Sequence, residues 1–135
     1  MDISSALDIS ASGMDAQSER LRVISENMAN EDTTGSSPGA DPYRRKTITF
    51  SEQVDRATGE SQVVVKSIGK DMSAFGKRYD PSHPAADASG YVKTSNVSSF
   101  VELMDMREAE RSYSANLNTM QATRSMMTRT IDLLK

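Results

Sequence analysis

The chain has no cysteine and no tryptophan, and aromatic residues make up only 5% of its 135 residues. Without cysteine there can be no disulfide, no thiolate metal site and no cysteine nucleophile. Few aromatics and 36% hydrophobic residues leave little for a large independent core. Charge of one sign is also lacking. The net charge is −3, so no surface built for polyanions is announced. The one short basic run, Arg44-Arg45-Lys46, alternates sides on a strand and has no stacking aromatics with it. It reads as a solvated strand, and nucleic acid is not an expected partner. No apolar run approaches the ~20 residues of a membrane span. The first residues lack the basic and apolar segments of a cleaved secretory signal, so any export is expected to proceed without one.

Catalytic groups are equally scarce. His83 is the single histidine, and with Asp80 and Asp87 it makes only a loose cluster, which fits a solvated loop better than a metal site. The serines have no histidine base at a recognisable spacing. Glu52 and Asp55 lie a turn apart with nothing to tune either, and Gly35, Gly39, Gly59 and Gly69 match no phosphate-cradling pattern. No catalytic, cofactor-binding or metal-binding residue is assigned, and no enzyme is expected.

Proline and glycine are absent after Gly90, and what fills that third of the chain is a long helix from about Ser99 to Lys135. Met106, Tyr113, Met120, Met127 and Leu134 recur every seven residues. Leu103, Leu117 and Ile131 form a neighbouring row broken by Glu110 and Arg124. Such a repeat marks a helix that packs lengthwise on another. Ser99 and Glu102 have capping-box spacing at its start. At the other end, Leu7, Met14, Leu21 and Met28 also recur every seven, with Ile3 and Ile24 beside them. Ala6, Ala11, Gly13 and Ala16 keep that first helix slim enough for close approach. Asn27 and Asn30 suit its ending.

Between the helices lies a loop from Glu31 to Pro42, rich in Thr, Ser, Gly, Pro and Asp. Strands are expected over Tyr43–Phe50, at Val63–Val65, within Met72–Tyr79 and at Tyr91–Lys93, with a turn or short helix over Ser51–Ala57. Asp80-Pro81 and His83-Pro84 signal turns. The expected fold is mainly α with a small β module. Residues 1–30 and 97–135 would pair as one antiparallel coiled-coil domain, with residues 31–96 forming the loop and the module. The surface left over would engage other copies. The expected assembly interface is therefore Leu7, Met14, Leu21, Met28, Leu103, Met106, Tyr113, Leu117, Met120, Met127, Ile131 and Leu134.

Two sets of residues carry a resemblance. The first is Ser12-Gly13-Met14-Asp15-Ala16-Gln17, Arg20-Leu21, Ile24-Ser25, Asn27-Met28-Ala29-Asn30 and Thr33-Thr34-Gly35. The second is Ser95-Asn96-Val97, Glu102-Leu103-Met104-Asp105-Met106, Arg111-Ser112-Tyr113 and Ala115-Asn116. Together they resemble the terminal signatures of bacterial flagellar rod and hook proteins. The short chain, the residues between Gly35 and Pro42, Asp80-Pro81-Ser82-His83-Pro84 and Gly90-Tyr91-Val92 are most similar to the proximal rod proteins. Ser95 departs from that group, which often has proline there. The resemblance implies a structural subunit without cofactor that stacks helically, with copies of itself and other rod proteins, into the periplasmic drive shaft. It also implies export by the flagellar type III apparatus. A secreted coiled-coil adaptor, or another axial component, is the other reading the same seams allow.

Overall fold

The computed structural model describes residues 3–56 and 58–133. Helix α1 spans Ile3–Ala29 and helix α2 spans Ser99–Leu133. Four strands lie between them, β1 Lys46–Val54, β2 Ser61–Lys70, β3 Gly76–Tyr79 and β4 Tyr91–Thr94. β1 pairs with β2 and β3 with β4, giving two separate two-stranded sheets. The chain is mainly helical with a small β module, as expected from the periodicities.

Several boundaries differ from the sequence reading. Ser51 to Val54 continue β1, because the turn that reverses the chain lies further on. There Asp55 N–H donates to Glu60 C=O at 2.8 Å and Gly59 N–H donates to Asp55 C=O at 2.7 Å. Gly59 holds φ +72°, where a side chain would be strained. The third strand is only Gly76–Tyr79.

The chain divides into two compact units. The first comprises Met1–Leu21, Ile48–Ser67 and Met106–Lys135. Here a Cβ added at Gly13 would meet Asn116 Nδ2 at 2.6 Å, and Arg20 pairs with Glu108 at 3.6 Å. Rising numbers on α1 thus meet falling numbers on α2. The hairpin packs on α1 through Ser5, whose hydroxyl donates to Glu60, and through Val63 N–H, which donates to Ser12 Oγ at 3.4 Å.

The second unit comprises Arg22–Thr47 and Ile68–Asp105. Gly76, Lys77, Arg78 and Tyr79 pair antiparallel with Thr94, Lys93, Val92 and Tyr91. The rings of Tyr79 and Tyr91 meet edge to face, with centroids 5.2 Å apart. Asp87 shapes the turn before β4: its Oδ1 accepts Ser89 N–H at 2.8 Å and Tyr91 N–H at 3.0 Å. The loop after α1 is tied to β4 by Lys93 Nζ, which reaches Gly39 C=O at 3.1 Å and Asp41 Oδ1 at 2.9 Å. Such short sheets are marginal alone, and these fastenings to loop and helix supply what they lack.

The buried apolar residues are small or medium, namely Ala16, Val23, Ile24, Ala85, Val92 and Ala109. The largest fully buried side chains are Glu102, Val92 and Asn27. A carboxylate and an amide at the centre need partners, and those partners define the site.

Candidate assembly surface and its polar latch

Asn27 stands in the last turns of α1, where its side chain reaches the start of β1. Its Oδ1 accepts Lys46 N–H at 2.8 Å and its Nδ2 donates to Lys46 C=O at 2.9 Å. The amide therefore pairs with the strand as another strand would, satisfying both main-chain groups of one residue. Tyr43 O–H donates to the same Oδ1 at 2.9 Å. Burial holds the Tyr43 hydroxyl above its ordinary pKa, with the Glu26 and Glu102 charges adding to the effect.

Glu102 comes to this point from α2. Its Oε2 accepts a second bond from Asn27 Nδ2 at 3.1 Å, and its Oε1 accepts from Arg45 Nε at 2.5 Å. Arg45 NH2 reaches Asp105 one turn further along α2, at 3.3 Å. The Arg45 backbone is pinned as well: its N–H donates to Asn96 Oδ1 at 2.7 Å and its C=O accepts Asp71 N–H at 2.8 Å. Asn96 Nδ2 in turn donates to Asp71 C=O and Ser73 Oγ. Arg44 points the other way, stacking over the Phe75 ring at 4.0 Å.

Two sequence expectations change here. Arg45 is no solvated strand residue. It lies with Arg44 just before β1, which begins at Lys46 rather than Tyr43, and its side chain is turned to the Glu102 and Asp105 carboxylates of α2. Nor does Glu102 serve a capping box with Ser99. Its carboxylate is turned inward, and the main chain and hydroxyl of Ser99 donate instead to Glu31. The first helical N–H groups need an acceptor, and a carboxylate from the loop after α1 supplies it.

His83 is half-buried. Its Nδ1 accepts Ala85 N–H at 3.1 Å, and its Nε2 lies 3.4 Å from Thr34 Oγ1. It ties two loops together rather than lying in a solvated one. Among the described residues, no three of His, Asp and Glu come together to hold a metal ion.

The α2 residues expected at an assembly interface lie at other positions round the helix than Glu102. Glu102, Ala109, Asn116 and Thr123 stand at a spacing of seven on α2; Glu102 meets Asn27, Asn116 meets Gly13, and Ala109 and Thr123 are buried. On α1 the same spacing holds Gly13 and Arg20, which meet Asn116 and Glu108 in the first unit, and Asn27, which meets Glu102 in the second. Both rows are small or polar. Met106, Tyr113, Met120 and Met127 lie about 50° round the helix from the contact row, and Leu103, Leu117 and Ile131 about 100° round. Leu103, Leu117, Met127 and Ile131 are exposed, while Met106, Tyr113 and Met120 are half-buried. Leu7, Met14, Leu21 and Met28 on α1 are half-buried too. Leu134 lies outside the described residues. The contact row could have been found in the sequence. The slim position Gly13 belongs to it, and Asn27 continues its spacing.

The latch joins two segments that known families also mark. A family model described as flagella basal body rod protein matches residues 7–35. A second, described as flagellar basal body rod FlgEFG protein C-terminal, matches residues 88–133. The flagellar basal-body rod protein FlgC of Agrobacterium fabrum is 52% identical over 133 residues, covering 98% of this chain and 96% of that one. The chain belongs to the FlgC family of flagellar basal-body rod proteins. FlgC of Salmonella typhimurium is 38% identical, with 98% of each chain covered, and FlgC of Bacillus subtilis is 34% identical, with 96% and 97% covered. As a FlgC-family member the chain is a structural subunit of the flagellar basal-body rod. Asn27 and Glu31 fall in the first matched segment, Asn96, Ser99 and Glu102 in the second. No helix among the described residues is long and apolar enough to cross a membrane.

Proposed function

We propose that this FlgC-family subunit stacks helically in the proximal rod through its terminal helices and forms part of the periplasmic drive shaft and of the export channel wall. Residues 1–30 and 97–135 act as one antiparallel coiled-coil domain, and residues 31–96 form a module outside it. The neighbours are further copies and other rod proteins, delivered by the flagellar type III apparatus without signal cleavage. The interface consists of Leu7, Met14, Leu21, Met28, Leu103, Met106, Tyr113, Leu117, Met120, Met127, Ile131 and Leu134. The observation that carries this reading is the apolar stripe of α2. Leu103, Leu117, Met127 and Ile131 stay exposed although the helix has already packed along another face. Burying each against a neighbour would contribute about 1.5–3 kcal/mol, and repetition over many subunits makes that large.

Leu117→Asp tests the reading. The residue is exposed in the subunit, so the isolated chain should keep its helicity and lose no more than about 0.5 kcal/mol of stability. A strain carrying only this variant should export the subunit but build no rod and fail to swim. Normal swimming would refute the interface. His83→Ala, which alters no part of it, should swim.

A further inference from the structure

Within the first unit, α2 has a further face that belongs neither to its contact with α1 nor to the apolar stripe. Arg107, Arg111, Ser114, Asn118, Ser125 and Arg129 lie about 160–220° round the helix from Asn116, which stands against Gly13 of α1. All six are exposed. No apolar residue interrupts this face between Arg107 and Arg129, and the first acid along it, Asp132, comes after that stretch. Of the neighbouring acids, Glu108 is paired with Arg20 and Glu110 stands in the row of Leu117. Arg107, Arg111 and Arg129 enter no ion pair among the described residues. The face is therefore cationic along about 33 Å of helix.

A face without apolar side chains gains nothing from burial against a neighbouring copy. Three arginines drawn into a dry contact would lose their hydration with no carboxylate on the face to offset it. Such a face belongs in water even after the stripe beside it is covered. We infer that this face turns to the water-filled passage of the rod, and that Arg107, Arg111 and Arg129 give the passage an electropositive lining over which unfolded, net-acidic chains travel. The inference rests on the reading of the terminal helices as part of the export channel wall. It adds which residues line the passage and what charge they bring. The lining suits its cargo in two ways. An unfolded chain exposes apolar side chains, which an apolar wall would hold and a polar wall releases. The cargo is also mildly acidic if it resembles this chain, whose own net charge is −3. Rings of arginine around an aqueous pore favour anionic segments, while the intervening water and salt keep that attraction weak enough for release.

The chain has no native cysteine, so single engineered thiols report their surroundings in basal bodies purified from cells. Ser114→Cys and Ser125→Cys each exchange one atom on the face, and Leu117→Cys reports the stripe. A small maleimide should label positions 114 and 125, whereas a maleimide carried on a folded protein should label neither. An anionic thiol reagent should react at both positions at least about threefold faster than a cationic reagent of the same size. In the background Arg107→Gln/Arg111→Gln/Arg129→Gln, rods should still form and that preference should disappear. Labelling by the protein-borne reagent would put the face on the outside of the rod and overturn the inference. So would protection of both positions from the small reagent, a charge preference that survives loss of the arginines, or failure of both serine variants to build rods. The apolar interface is judged separately: fast labelling at position 117 would refute that interface and leave the result at 114 and 125 standing.

Discussion

Arg45 Nε lies 2.5 Å from Glu102 Oε1, and Glu102 is completely buried while Arg45 keeps about one-fifth of its side chain in solvent. The pair joins residues 57 positions apart. A buried carboxylate in this setting is held by fixed donors, and removing either side leaves a group desolvated without its partner.

Glu102→Ala is therefore expected to destabilise the subunit by about 3–5 kcal/mol, because Arg45 and the Asn27 amide both lose an acceptor. Glu102→Gln keeps the shape and the Asn27 contact and should lose about 1–3 kcal/mol. Asp105, one-third exposed, should lose under about 1 kcal/mol on change to Ala. Urea unfolding of the three variants orders them. A Glu102→Ala chain as stable as the parent would show that the buried pair contributes nothing.

Gly13 marks close approach of α2. Its added Cβ would meet the far end of the Asn116 side chain at 2.6 Å and Asn116 Cγ at 3.2 Å. Asn116 can swing aside for one methyl, and the gain in helix propensity of about 1 kcal/mol offsets the disturbance. Gly13→Ala should stay within about 1 kcal/mol of the parent, whereas Gly13→Leu should lose about 1–3 kcal/mol by overpacking. Equal melting temperatures for the two variants would mean that α2 does not come this close.

Gly59 and Gly90 separate backbone strain from crowding. Both have positive φ, +72° and +82°. A Cβ at Gly59 would have nothing within 4 Å, whereas one at Gly90 would lie 2.8 Å from a Tyr79 ring carbon. Gly59→Ala should lose the left-handed backbone penalty alone, about 1–2 kcal/mol. Gly90→Ala should lose more, and the edge contact of Tyr79 with Tyr91 should be disturbed. Near-ultraviolet circular dichroism and thermal melts of the two variants check this.

Acid and alkali should act on different fastenings. Main-chain hydrogen bonds, chiefly from Tyr91 N–H, hold the Asp87 carboxyl below the ordinary carboxylate range, and those from Ser73 do the same for Asp71. A lowered folded pKa means stability that is present above the ordinary carboxylate range and lost as pH falls through that range and below it. Tyr43 is raised, chiefly by burial. Its contribution is present below the ordinary tyrosine range and lost as the pH climbs through and above it. Asp87→Asn should flatten the acid limb of a melting-temperature profile, and Tyr43→Phe the alkaline limb. A variant that flattens the opposite limb would contradict the assignment.

Much of this protein was settled by local sequence. The seven-residue rows and the absence of glycine and proline after Gly90 make a long helix of the last third, because propensity and periodicity are properties of a few turns at a time. The strand content near Val63–Val65 and Tyr91 is local in the same way, although the turn at Asp55–Glu60 and the length of β1 depended on pairing. Which face of each helix meets the other was decided only in three dimensions. The apolar rows Met106–Tyr113–Met120 and Leu103–Leu117–Ile131 are what a seam looks like. Yet Gly13 meets Asn116 in one unit and Asn27 meets Glu102 in the other, and none of these four residues belongs to either apolar row. Residues 27 and 102 stand 75 positions apart, and no periodicity within either helix records that they share a hydrogen bond.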